Sequence, residues 1–180
     1  MTVVSADIEP FTFVFEDDGL VPNNPMPFLV YKAAIEIGND HPEKTIDELF
    51  GANGWGQMWR NGIFDYLHYH ATVHEALGVA RGYARVRFGG DRGKDFEMSA
   101  GDVAILPAGT GHQCLSASDD FCVVGAYPPG PQMQITRPTP ENHRKALKTI
   151  PEVKVPETDP VLGEHGPLVK LWKQTNRSTD

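Results

Sequence analysis

The sequence is short of several things, and each shortage excludes something. It has only two cysteines in 180 residues. That is too few for a disulfide framework, so a small stapled secreted fold is not expected. Basic residues are outnumbered, with 16 Lys and Arg against 24 Asp and Glu and a net charge of −8. A nucleic-acid binder presents a basic face, and an anionic membrane draws in basic segments, so neither partner is expected. No Lys or Arg precedes Lys32, so no basic region leads into an apolar core at the N-terminus. Apolar runs are all shorter than the roughly 18 residues of a membrane-spanning helix. The expected compartment is the cytoplasm. Asn176-Arg177-Ser178 has the form of a glycosylation site, but without a secretion signal it reads as chance. There is also no Gly-x-Ser-x-Gly elbow, phosphate loop or dinucleotide fingerprint.

What the chain does have is turn residues. Eighteen glycines and 15 prolines are interleaved with apolar alternation. Short strands joined by tight loops follow from that mixture, hence an all-β fold. One domain is expected, long enough to bury about two thirds of its unfolded surface. Three segments divide it. Residues 1–59 carry strands and a helix. Phe11, Phe13 and Phe15 alternate with Thr12 and Val14, the period of a strand with one buried face. A second strand runs through Phe28–Ile35. Pro42 suits the first turn of a helix to Gly51, or Thr45 with Glu48 forms a capping box that starts it later, with Ile46, Leu49 and Phe50 as its apolar stripe. Residues 60–127 alternate short strands with glycine turns about ten residues apart, the pattern of a sandwich or barrel. Residues 128–180 hold nine of the 15 prolines. They predict a short helix over Asn142–Ile150 and then an extended tail ending in the apolar cluster Leu168, Val169, Leu171 and Trp172. Such a tail wraps its own domain or a partner subunit.

The chemistry concentrates in the middle segment. His68 and His70 are two apart. On a strand this puts both imidazoles on one face, with Cα atoms roughly 6.6 Å apart, close enough to converge on one metal ion. Residues from Glu75 to Val79 read as the returning strand. Glu75, Leu77 and Val79 share one face, and His74, Ala76 and Gly78 share the other. If the Leu77 and Val79 face is interior, Glu75 points inward and His74 outward. An unpaired inward carboxylate is costly in an apolar interior, and a cation removes that cost. His68, His70, Glu75 and His112 are therefore the candidate metal ligands. Cys114, two beyond His112, shares its face and could line the cavity or fill space as a small hydrophobe. Cys122 sits symmetrically across the Ser116–Asp120 turn, so the two thiols could be cross-strand neighbours. His74 and Tyr66 are further candidates beside the ligands. Trp55, Trp59 and Tyr69 read as packing, with one of them available to close a cavity mouth. Arg85 and Arg87 alternate with apolar residues and should face solvent.

These residues resemble the two motifs of the cupin superfamily. The first is Gly62, then His68 and His70, then Glu75 and Gly82. The second is Gly101, Pro107, Gly109 and His112, departing from the family pattern only at Ser116, where Asn is usual. The run Trp59-Arg60-Asn61-Gly62 and the tail Asp159-Pro160-Val161-x-Gly163-x-x-Gly166-Pro167-Leu168 are similar to small bacterial YjlB-like cupins. The resemblance implies a small jelly-roll β-barrel with flanking helices. It implies one divalent transition metal held by His68, His70, Glu75 and His112. Three imidazoles and a carboxylate suit Fe, Mn, Ni, Zn, Co or Cu, with coordination positions left open. Pro107-x-Gly109 would set the turn that delivers His112. The implied activity is that of a metal-dependent enzyme, of dioxygenase or isomerase type, on a small polar molecule. The alternative is a non-catalytic module that binds or senses a small ligand. A homodimer is expected, with the Phe-rich first strand exchanged or packed between subunits.

Overall fold

A computed structural model describes Val4 and residues 7–178. The outermost parts of the expected 1–59 and 128–180 segments, residues 1–3, 5–6 and 179–180, lie outside the described residues. In chain order the elements are β1 (Phe11–Phe15), β2 (Asn24–Tyr31), α1 (Pro42–Ala52), β3 (Gly56–Asn61) and β4 (Glu75–Arg81). There follow β5 (Tyr83–Phe88), β6 (Lys94–Ser99), β7 (Val103–Leu106), β8 (His112–Ala117) and β9 (Cys122–Tyr127). The last two are α2 (Pro140–Thr149), run on by a 3₁₀ turn at Ile150–Glu152, and α3 (Pro167–Arg177).

The strands form two antiparallel sheets. The larger runs β1-β2-β7-β4-β9-β3 and the smaller β6-β5-β8. Leu77 and Val79 of β4, Val123 of β9 and Phe28 and Val30 of β2 meet Val86, Phe88 and Met98 of the smaller sheet between the layers. Among the described residues the sheets do not close into a ring. The expected barrel is a jelly-roll-like pair of facing sheets, with β1 and β3 at the edges of the larger one.

The other face of the larger sheet is buried too, which the alternation did not suggest. Ala76 and Ala80 of β4 pack against Ile46 and Phe50 of α1 and against Leu168 and Trp172 of α3. A Cβ on Gly78 would stand 2.7 Å from Ile46 Cγ2, so only a residue without a side chain lets α1 sit this close. α1 begins at Pro42, and Ile46 and Phe50 are its buried stripe, as the sequence predicts.

The tail is more ordered than expected. Thr139 caps α2 by accepting from the Asn142 amide. The apolar cluster expected in an extended tail is helix α3, with Pro167 in its first turn and Leu168 and Trp172 inward at i and i+4. Trp172 donates its indole N–H to the Pro27 carbonyl at 2.8 Å, so the tail wraps its own chain. Buried Asp159 fastens the bend before α3. It accepts from Tyr31 Oη at 2.6 Å and from the amides of Val161, Leu162 and Leu168. The Tyr31 pKa is raised by burial and by that carboxylate. No helix among the described residues is long and apolar enough to cross a membrane.

Candidate metal centre

The two motifs meet at one end of the space between the sheets. His68 and His70 lie on irregular chain rather than on a continuous strand. His68 bridges to His112, and Tyr69 bridges to Thr136, so the extended alternation survives. Tyr69 points away and is buried on the far side. Gly109 shapes the approach to β8, with φ 92, and a Cβ there would stand 2.6 Å from the Asn23 carbonyl oxygen. His112 opens β8, and Glu75 opens β4 on the inward face shared with Leu77.

One ring nitrogen from each of His68, His70 and His112 lies within 4.8 Å of those of the other two. All three rings are buried. Each turns its Nδ1 to a main-chain carbonyl: His68 to Tyr66 at 3.0 Å, His70 to Gln134 at 2.8 Å, His112 to Thr110 at 3.0 Å. A carbonyl only accepts, so each Nδ1 carries the proton and each Nε2 keeps its lone pair. Glu75 Oε2 stands 3.3 Å from His70 Nε2 and 3.2 Å from His112 Nε2. Two ligand atoms held about 2.1 Å from one ion are themselves roughly 3.0–3.4 Å apart, so this spacing fits a shared metal.

The electrostatics agree with the geometry. Among the described residues Glu75 Oε2 is buried without a hydrogen-bond donor. It faces nitrogen lone pairs, an arrangement that needs positive charge between its members. Burial works to raise the Glu75 pKa, but His70 and His112 beside it outweigh that and hold the carboxyl below its ordinary range. Burial works against a proton on His70, yet the Glu75 charge raises its pKa above the ordinary value. The same negative field favours a metal cation there. Burial, with His112 nearby, pushes His68 down to about 3, so it is a neutral imidazole at pH 7.

A cavity of about 210 Å³ opens above these atoms. His68, His70, Glu75 and His112 form its floor, and Trp59, Ile63, Phe64, Leu77, Met133 and Ile135 form its walls. Met133 and Ile135 belong to the segment after β9, so the start of the tail builds one wall. The lining is mostly apolar. Arg60 reaches it but is paired with Asp47.

The remaining candidates fall differently. Cys114 does not line this cavity. It is half-buried against the inter-sheet core, where the β5–β8 register shifts between Arg85 and Val86. Burial raises its thiol pKa. Cys114 lies in the smaller sheet and Cys122 in the larger, so they are not cross-strand neighbours, and both are free thiols. His74 faces away from the cavity, as parity requires, but not into solvent. Its ring packs 4.7 Å from Trp172, its Nδ1 accepts from the Ala108 amide and its Nε2 meets the Lys154 carbonyl. Tyr66 acts beside His68 through its carbonyl, while its own ring stacks on Phe64 and under Arg137. Arg85 and Arg87 point outward and pair with Asp95.

Tyr127 is the residue that sequence reasoning missed. Its phenol donates to Glu75 Oε1 at 3.0 Å and accepts from the Trp59 indole at 2.6 Å. Burial and the Glu75 charge raise its pKa. The signal was parity along β9, where Val123, Gly125 and Tyr127 share the inward face. Using it requires knowing that β9 lies beside β4.

No family model matches the chain. Among solved structures, an acireductone dioxygenase from Bacillus anthracis is 19% identical with a TM-score of 0.36, covering 50% of this chain and 60% of that one. An uncharacterized protein with a double-stranded β-helix domain from Klebsiella pneumoniae is 17% identical with a TM-score of 0.36, covering 75% and 90%. The "uncharacterized protein YjlB" of Bacillus subtilis (strain 168) is 36% identical over 165 residues, 91% of this chain and 97% of the relative. Likeness at that level over nearly the whole of both chains makes this chain a member of the same family as YjlB.

Proposed function

We propose that His68, His70, Glu75 and His112 hold one divalent transition-metal ion, and that the chain is a metal-dependent enzyme acting on a small molecule. Bound there, the ion would supply Lewis acidity and, for a redox metal, electron transfer to and from O₂. The observation that carries the reading is the buried, donor-less Glu75 Oε2 facing two imidazole nitrogens at the floor of an open cavity. The substrate we propose has oxygen donors at one end and an apolar body at the other. The floor takes the first. Trp59, Ile63, Phe64 and Leu77 take the second and exclude water.

The walls also bear on reaction type. Isomerisation or decarboxylation moves a proton and asks for a free acid or base. Among the described residues lining the cavity, none is free: the imidazoles and Glu75 are committed, and Arg60 is paired with Asp47. Insertion of both O₂ atoms into a substrate needs no such group, so this lining favours the dioxygenase reading. It also suits the second reading, a module that binds a small ligand without turnover.

The test is elemental analysis of untagged protein purified without added metal, beside His112→Ala. Near-stoichiometric Fe, lost in the variant, supports O₂ chemistry, and oxygen-uptake screening then separates an enzyme from a binding module. Stoichiometric Zn, Mn or Ni moves the reading to Lewis-acid chemistry. Metal far below stoichiometry in both proteins, even after divalent ions are added back, overturns the metal reading.

A further inference from the structure

Glu75 has two oxygens, and the fold treats them differently. Trp59 of β3 lies opposite Gly125 of β9. The indole fills the space a side chain at 125 would occupy: a Cβ there would fall 2.2 Å from Trp59 Cε2. In that seat Trp59 Nε1 is 2.6 Å from Tyr127 Oη, and Tyr127 Oη is 3.0 Å from Glu75 Oε1. The direction of this string is fixed. An indole nitrogen only donates, so the phenol oxygen accepts from Trp59 and spends its single proton on Oε1. Oε1 therefore has a partner. Oε2 has none and is the oxygen turned to His70 and His112.

We infer that Trp59 and Tyr127 are positioning residues that restrict Glu75 to binding metal through Oε2 alone, keeping the other coordination positions for an incoming ligand. The inference rests on the metal reading above. Carboxylates bind metal through one oxygen or two. Without the phenol, Oε1 would be a buried acceptor with no donor, and turning it onto the metal would satisfy it. Doing so would fill a position that a ligand needs. Trp59 is also a cavity wall, so the residue that would touch a bound molecule is the one that holds Tyr127 in place.

The test uses Co(II) as the metal probe and azide as the ligand probe, on wild type, Tyr127→Phe and Trp59→Phe. Expected for Tyr127→Phe is a Co(II) dissociation constant about 10–100-fold higher, the usual consequence of losing a group that orients a ligand. Its visible d–d absorption should weaken, as it does when coordination number rises, and azide should bind less tightly. Trp59→Phe should shift all three in the same direction by less. A Tyr127→Phe protein whose Co(II) spectrum and azide affinity superimpose on wild type overturns the inference. So does a lower melting temperature of the metal-free variant with an unaltered Co(II) spectrum, since that is the mark of a merely structural role. If Tyr127→Phe does not fold, Trp59→Phe decides by the same readouts. Wild type that binds no Co(II) overturns the metal reading itself and this inference with it.

Discussion

Gly125→Ala sets two effects of opposite sign against each other, and the structure says which wins. Gly125 is not among the residues with positive φ, so its backbone suits alanine. By chain entropy alone the change would stabilise the protein by about 0.4–1 kcal/mol. The added methyl, however, would sit 2.2 Å from Trp59 Cε2 and 2.4 Å from Cζ2 and Nε1. Carbon atoms in contact prefer roughly 3.5–4.0 Å, so the indole must retreat by more than about 1 Å. Its 2.6 Å bond to Tyr127 then stretches beyond hydrogen-bond range. Overpacking costs about 1–3 kcal/mol and the lost hydrogen bond about 0.5–1.5 kcal/mol. Set against the entropy gain, the net loss is about 0.5–4 kcal/mol. For a domain of this size each kcal/mol is worth about 2–4 °C, so Tm should fall by roughly 1–16 °C. The assay is thermal unfolding of the metal-free protein by circular dichroism, with tryptophan fluorescence as a second readout. Trp55 and Trp172 are fully buried elsewhere, so a changed emission reports Trp59. A Tm equal to or above that of wild type, with unchanged fluorescence, would refute the steric argument and the seat it assigns to the indole.

Further outcomes follow from other parts of the fold. Burial holds His74 down at about pKa 4 against an ordinary 6.5, so between those values the unfolded chain binds the proton that the folded one refuses. Stability should therefore fall as pH drops from 6.5 toward 4, and urea midpoints should show a shallower fall in His74→Gln. A slope unchanged by the substitution would exclude His74 as its source. Trp172→Ala empties a fully buried site and removes the indole hydrogen bond to the Pro27 carbonyl, so it should cost about 3–5 kcal/mol, read from urea unfolding with an unchanged m value. The expected homodimer has a natural surface in the edge strand β1, where Phe11 is 61% and Val14 60% exposed. Sedimentation should show a dimer that Phe11→Asp with Val14→Asp dissociates; a monomeric wild type removes the expectation.

Much of the fold was legible because strand alternation and turn residues are local signals. Phe11, Phe13 and Phe15 marked β1, Pro42 opened α1, and Ile46 and Phe50 named its buried face. Helix α3 was missed although Leu168 and Trp172 stand at the i, i+4 spacing of one helical face. Proline and glycine around it drew the reading toward extended chain, but Pro167 sits in the first turn, where its missing N–H leaves no bond unmade. Counting two residues along β8 from His112 put Cys114 on the inward face, either lining the cavity or filling space as a small hydrophobe, and the second is what the fold has. The β5–β8 register is regular from His112 to Cys114 and shifts only beyond it, so Cys114 keeps the inward face of His112 but packs into the inter-sheet core and not at the cavity.

The candidate site shows where local reading stops. Parity turned Glu75 inward correctly because Leu77 and Val79 follow it on the same face. The same parity turned His74 outward, and outward here is a second buried face rather than solvent. The residues alternating with Glu75, Leu77 and Val79 are Ala76, Gly78 and Ala80, all small. A solvated face would be free to carry long polar side chains, whereas a face built from Ala and Gly is shaped for close approach of another element. That element is α1, with Ile46 Cγ2 only 2.7 Å from where a Gly78 Cβ would be. A strand that is large and apolar on one face and small on the other is therefore covered twice. The ligands came from spacing along one strand or one motif. Tyr127, which decides how one ligand presents itself, comes from a strand 52 positions away that happens to lie next door. Its role became readable only once the pairing of β4 with β9 put Ala76 opposite Ala126, and so brought Tyr127 beside Glu75.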